Sequence, residues 1–400
     1  MLRQLWHHHA LRQARIHLAS HDHEIVREQI AVSEIAAPTG EENERAQWVA
    51  ERFEALQLSD VRIDQAGNVI GRRQGRTDGP AVLVCAHLDT VFPRQTRVSV
   101  TRLGNRLAGP GIGDNGRGVA AMLALAKVLD GASLATERPV DFIGTTGEEG
   151  AGDLRGAKHL FAHAGREAAA AVILDGAGDE RIVHRALASR RYRLTFEGPG
   201  GHSWTAFGVP NAVHAAAFAT ARLARITLPT SPRTTLSVGR IGGGISVNSI
   251  PDRAWLEVDV RSASGAMISR LDREVREAAT AGAMEENARR APGAIPLTYG
   301  IEVIGERPGG ETPVDHPLVL AAMEATRLIG RTPELAIAST DANIPISLGI
   351  PAVAIGAGGR GGDAHTPGEW FENTEGTLGL SRALGVVVEA AGLREQGALE

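Results

Sequence analysis

Short apolar runs alternating with helical patterning constrain this chain more than any other feature. AVLVCAHL (81–88), VDFIGTT (140–146) and AAAVILD (169–175) are continuous enough to be buried strands. Between them, GRGVAAMLALAKVLDG (116–131) has the spacing of a helix stopped by glycine, and 22–56 reads as helical with a Pro-Thr-Gly break at 38–40. HPLVLAAMEATRLIG and IPAVAIGAGG bring back the same texture near the end. Strand and helix in alternation predict an α/β fold, a mostly parallel mixed sheet flanked by helices.

From about 187 the texture differs. RRYRLTFEGPG, TTLSVGRIGGGISVNSIP and RAWLEVDVRS alternate polar and apolar residues, as half-exposed antiparallel strands do. Helical stretches at 209–226 and 265–290 lie among them. The order strand, helix, two strands, helix, strand predicts an inserted α+β domain. The expected division is one domain from 1–186 plus 306–400 and a second from 187–305, within the two or three domains that 400 residues allow.

A formal net charge of -5 and a pI near 6.3 argue against nucleic acid or an anionic membrane as partner. The single cysteine, Cys85, excludes an intrachain disulfide and fits a reducing compartment. The N-terminal stretch lacks a continuous apolar core, so no signal peptide is expected, no run has the length of a membrane span, and the expected location is the cytoplasm.

Five metal-type side chains fall at comparable places in this pattern. His87 and Asp89 end the first buried run, and a carboxylate near a histidine can orient its ring toward a metal. Asp114 sits in the glycine-dense GPGIGDNGRG before a helix; Glu148 and Glu149 follow the next run; Asp175 ends VILD; His365 follows IPAVAIGAGG. The carboxyl edge of such a sheet is where ligands collect. His, Asp, Glu, Asp and His suit zinc or a neighbouring divalent ion, and one bridging carboxylate can hold two ions roughly 3.5–4 Å apart. Of two adjacent acids, one can bind metal while the other faces the attacking water.

Each member also has a plainer reading. The chain has 14 histidines, most of which need have no ligand. Asp114 could simply cap a helix. Gly111-x-Gly113-x-x-Gly116 also matches a dinucleotide-binding pattern, but RLGNRLAGP before it reads as a turn-rich connection rather than the strand that pattern needs. His159 and His163 share a helix face without the glutamate of a zincin motif, and His7, His8, His9, His21 and His23 suit at most adventitious metal.

The chain resembles the co-catalytic zinc peptidases and acylases that include peptidase T, carboxypeptidase G and aminoacylase. The resemblance rests on VCAHLDTV, GPGIGDNGRGVAAML, GTTGEEGAGDLRG, VILDG, GPGGHSW, GGISVNSIP, VDVRS, STDAN and GGDAHTPGEW, in order across 84–370. It implies a catalytic α/β domain with a ferredoxin-like lid that makes a homodimer. It implies two Zn2+ per subunit, with Co2+ or Mn2+ as substitutes: one ion on His87, Asp114 and Asp175, the other on Asp114, Glu149 and His365. Asp89 would orient His87 and Glu148 would be the general base. From the lid, His202 would steady the oxyanion, while Asn248 and Arg261 would hold the substrate. Asp175 stands where many carboxypeptidase- and acylase-like members have Glu. That, with GERPGG and GHSWTAFGVPNAVHA, points to the peptidase T side and a di- or tripeptide aminopeptidase. Ser339 replaces a common glycine before Thr340-Asp341. The alternatives are an N-acyl-amino-acid amidohydrolase or glutamate-carboxypeptidase-like enzyme, and a non-catalytic metal or peptide binder.

Overall fold

The computed structural model describes residues 2–131 and 134–393; residues 1, 132–133 and 394–400 of the expected first domain lie outside them. The chain divides into two compact units, Met1–Ala186 with Glu311–Glu400, and Leu187–Gly310. The return falls at Glu311 rather than at 306. The last strand of the insert continues to Arg307, which still pairs with Ser189.

In chain order the principal strands are β1 (Ser59–Ile63), β2 (Val69–Arg73), β3 (Val82–His87), β4 (Val140–Thr145), β5 (Ala170–Leu174), β6 (Arg181–Ala186), β7 (Ala188–Glu197), β8 (Thr234–Gly243), β9 (Arg253–Ser262), β10 (Thr298–Arg307), β11 (Glu334–Ala338) and β12 (Ala352–Ile355). The main sheet of the first unit runs β1-β2-β4-β3-β5-β12-β6, with β11 also pairing β6. Its centre, β4-β3-β5-β12, is parallel, so these four strands deliver their carboxyl ends to one edge. Toward the rims β2 and β6 run antiparallel to their inner neighbours.

Both faces of this sheet are covered, which explains why its strands read as unbroken apolar runs. Val82, Val84, Ala86, Val172, Leu174, Val353 and Ile355 belong to a core with the helices Asn43–Ala55, Gly116–Gly131, Pro317–Leu328 and Gly376–Ala391. Alternate residues, Leu83, Cys85, Ala171, Ile173, Ala352 and Ala354, face the opposite way onto Arg155–Ala162 and Asn343–Ser347. Two helices that apolar spacing did not single out, Leu2–Trp6 and His9–Ser20, add Leu2, Leu11, Ala14 and Leu18 to the first core.

The stretch 102–110 is not merely a turn-rich connection. Thr101–Leu103 and Arg106–Ala108 form a hairpin about Gly104 (φ 65°), and it joins Trp370–Glu372 and Arg360–Gly362 in a small antiparallel sheet. The runs are too short and polar to announce themselves, since a three-residue strand carries almost no periodicity.

The second unit follows the order strand, helix, two strands, helix, strand, and its sheet runs β8-β9-β7-β10, a ferredoxin-like arrangement. Alternation along β9 puts Ala254, Leu256, Val258 and Val260 into a core with the helices Ala212–Leu223 and Gly265–Ala288. Among the described residues, no helix is long and apolar enough to cross a membrane.

Cys85 lies fully inside the first unit, and burial pushes its thiol well above the ordinary range. The native protein is therefore expected to resist an aromatic disulfide reagent such as DTNB, while the denatured chain releases one thiol equivalent. Rapid reaction of the native protein, read by absorbance, would contradict this packing.

Candidate metal centre

Five side chains expected to bind metal meet at the carboxyl edge of the parallel strands. The donor atoms of His87, Asp114 and Glu149 all lie within 4.8 Å of one another. His87 ends β3, and its Nε2 is 3.0 Å from Asp114 Oδ1 and 3.9 Å from Asp175 Oδ1. His365 Nε2 is 3.2 Å from Asp114 Oδ2 and 2.9 Å from Glu149 Oε1. Asp114 thus offers one carboxylate oxygen to each imidazole.

Local sequence explains this use of Asp114. The helix Gly116–Gly131 is capped by Asn115, whose Oδ1 accepts from Gly118 N at 3.2 Å and Gly176 N at 3.0 Å. Asp114 is therefore not the helix cap, and its carboxylate is left for the two histidines. Gly118 permits the arrangement, because a Cβ there would meet Leu174 O at 2.5 Å. That contact sets the helix start against the end of β5, one residue before Asp175.

The dinucleotide reading of this glycine-rich loop fails on the same geometry. Gly111 N, Gly113 N and Asp114 N all donate to the buried carboxylate of Glu369, at 2.9, 2.8 and 2.7 Å. The N–H groups that would cradle a pyrophosphate already hold an internal anion.

Asp89 does more than expected. His87 Nδ1 contacts the Asp89 main-chain oxygen at 3.1 Å, closer than Asp89 Oδ1 at 3.5 Å. The Asp89 carboxylate instead accepts from Glu148 N at 2.9 Å, Glu149 N at 3.0 Å and Thr39 Oγ1 at 2.8 Å. One buried acid therefore tethers the histidine and the paired glutamates together. Burial acts to raise its pKa, but the hydrogen bond to His87 and the charge of that ring, helped by the bonds from Glu149 N and Thr39, hold it below the usual carboxylate range.

The electrostatics describe a cluster that wants positive charge. Burial and the nearby Asp114 charge push Glu149 and Asp175 upward. Burial works to raise Asp114 too, but its hydrogen bonds to His365 and His87 hold it below the usual range. Burial would lower His87, yet Asp114 and Asp89 raise it well above its ordinary value. The Asp114 hydrogen bond, with Glu149 beside it, takes His365 up to about 9. The surrounding acids favour positive charge at both rings. Divalent cations could supply it through the same nitrogen and oxygen donors, so the residues present fit a metal pair.

A cavity of about 960 Å³ opens beside Asp114 and Asp175, with Arg181, Arg331, Glu334, Arg360 and Trp370 among its walls. The other expected residues, His202, Asn248 and Arg261, belong to the second unit. There, His202 pairs across from Ser249, and Ser203 N donates to Asn248 O at 3.0 Å, so His202 and Asn248 are neighbours. Arg261 sits on β9 with its Nε bonded to Asp259 Oδ2 at 2.8 Å. His159 and His163 stack at 4.4 Å, and His17 and His21 at 3.8 Å.

Sequence reasoning missed Glu369, Asn115 and Asp341. Asp341 is buried, accepts from Thr145 Oγ1 at 2.5 Å, and is pushed up to about 6 by burial. Glu369 had a signal, since it lies in the same HTPGEW motif as His365.

The model of peptidase family M20/M25/M40 matches residues 83–386. A putative LysW-lysine/LysW-ornithine hydrolase of Thermococcus kodakarensis is 25% identical over 381 residues, covering 92% of each chain. An acetylornithine deacetylase of Yersinia pseudotuberculosis is 26% identical over 319 residues, covering 76% of this chain and 77% of that one. Among solved structures, aminopeptidase PepT from Bacillus cereus superposes with a TM-score of 0.73 at 24% identity, covering 92% of this chain and 98% of that one, a likeness of fold.

A pH dependence follows for the metal-free protein. His365 is raised from 6.5 to about 9, so its ion pairs stabilise the fold fully below about pH 6.5 and are lost as pH rises through 9. Thermal melting should fall across that window, and the fall should be smaller in His365→Gln and in high salt. Parallel melting curves for the two proteins across that window would contradict the pairing.

Proposed function

The chain belongs to peptidase family M20/M25/M40 and hydrolyses peptide-type amide bonds; we propose that its substrates are di- and tripeptides with a free amino end. In this reading His87, Asp114 and Asp175 hold one ion, and Asp114, Glu149 and His365 hold the other, zinc being the ion their donor set suits. When bound, the ions polarise the scissile carbonyl and ease loss of a proton from water. Glu148 takes that proton and returns it to the departing nitrogen. Its main chain is held by Asp89, which keeps the base and the neighbouring ligand in a fixed relation. His202 supports the developing oxyanion, Asn248 and Arg261 hold the substrate, and the second unit pairs with that of another copy.

Asp175 carries the choice of an aminopeptidase, since a ligand of this length is the one the peptidase T side shares. The cavity beside it supports a short substrate: its volume is in the range for small ligands, and its walls carry charges of both signs, as the two ends of a short peptide do. A second reading, removal of an acyl group from an amino acid, is favoured by the acetylornithine deacetylase relative.

The two readings separate on a panel of free dipeptides, tripeptides and N-acyl amino acids presented to the zinc- or cobalt-loaded enzyme. Cleavage of free-amine peptides is expected, and cleavage of N-acyl amino acids alone would overturn the aminopeptidase reading. Glu148→Ala should retain its metal, by elemental analysis, and lose turnover by about 100- to 10,000-fold. Near-normal turnover in that variant would remove Glu148 as the base.

A further inference from the structure

We propose that Glu369 is a positioning residue for the metal centre: its buried carboxylate collects the backbone N–H groups of Gly111, Gly113 and Asp114 and thereby fixes where the Asp114 side chain stands. The inference rests on the reading of Asp114 as the ligand shared by both ions.

The geometry is unusually complete for a residue outside the ligand set. Glu369 Oε1 takes both Gly113 N and Asp114 N, and Oε2 takes Gly111 N. A neutral side chain could not do this equally well, because an amide has one acceptor oxygen and its NH2 would face a backbone donor. Gly113 also fits the role, since a Cβ there would come within 3.1 Å of Glu369 Oε1.

The same short segment holds Asp114 at its other end. His365 contacts Asp114 Oδ2 at 3.2 Å, while Glu369, four residues later, accepts from Asp114 N at 2.7 Å. Both loops hang from the small antiparallel sheet: Ala108, just before the Asp114 loop, pairs with Trp370, just after Glu369. Gly109 N donates to Glu369 O at 2.9 Å, tying the main chains as well. Main chain and side chain of the shared ligand are therefore referenced to a single element. Loss of Glu369 would leave three buried N–H groups without an acceptor and free the loop to move relative to His365.

The test uses the full chain, stripped by chelator and titrated with Co2+ in competition with a chromophoric chelator. Visible d–d bands and circular dichroism are recorded for wild type, Glu369→Ala, Glu369→Gln and Asp141→Asn. The last loses the Arg72–Asp141 ion pair near the amino end of β4, far along the strand from the acidic edge, and reports stability loss alone. In Glu369→Ala, affinity for both cobalt ions is expected to fall by about 10- to 100-fold with shifted bands, because partners that orient ligands typically contribute that much. Glu369→Gln keeps one acceptor oxygen and should fall by less, while Asp141→Asn should bind as wild type does. Unchanged affinity and bands in both Glu369 variants would overturn the role, as would an equal loss of affinity in Asp141→Asn. If the alanine variant does not fold, Glu369→Gln decides alone, needing weaker cobalt binding at wild-type circular dichroism. A wild-type chain that binds no cobalt overturns both this role and the ligand assignment. Tight binding in wild type and variants alike removes only the role of Glu369.

Discussion

Parallel pairing of β4, β3, β5 and β12 is the constraint on which the rest of the molecule depends. Parallel neighbours all finish at the same edge, so residues that are distant in sequence arrive there together. His87 and Asp175 take their places directly at strand ends, and Glu148 and Glu149 follow the end of β4 by a short turn. Burial of both sheet faces makes the strands rigid supports. An acidic cluster needs such support, because carboxylates this close repel one another and would separate if their backbone could move.

The supports behind the cluster form a hierarchy. Asp89 gathers the His87 and Glu148–Glu149 segments, Asn115 gathers the helix start and the turn after β5, and Glu369 gathers the glycine-rich loop. Each uses a buried side-chain acceptor to collect backbone N–H groups from a separate element. The loops at this edge are in effect stitched by acids and an amide, and satisfied backbone donors are what allow irregular chain to be buried there.

What was legible in the sequence followed from periodicity and chemistry. Continuous runs such as AVLVCAHL revealed the central strands, and the ends of those runs located His87 and Asp175. The polar alternation of RAWLEVDVRS revealed β9 as half-exposed. Short or polar elements were not legible: the hairpin at 101–108 has too few residues for a pattern, and helix Leu2–Trp6 is barely longer than one turn. Nor were the supporting roles of Asn115 and Glu369: Asn115 is a common cap type standing next to another, Asp114, and Glu369 lies in the His365 motif, but residue type does not say which backbone N–H groups each collects. Asp114 shows this best, since a helix cap and a metal ligand look alike until Asn115 is seen to do the capping.

The chain leaves the first unit after β6 and returns before β11, yet these two strands pair side by side. β12, which lies between β5 and β6, is made later still, and His365 follows it. During synthesis on a ribosome, the whole second unit must therefore emerge before the central sheet can close. His365 and Glu369 come out after nearly all of the fold that receives them. A nascent or prematurely terminated chain would carry the early acids without the late histidine, so the cluster at this edge is completed only in the last part of translation.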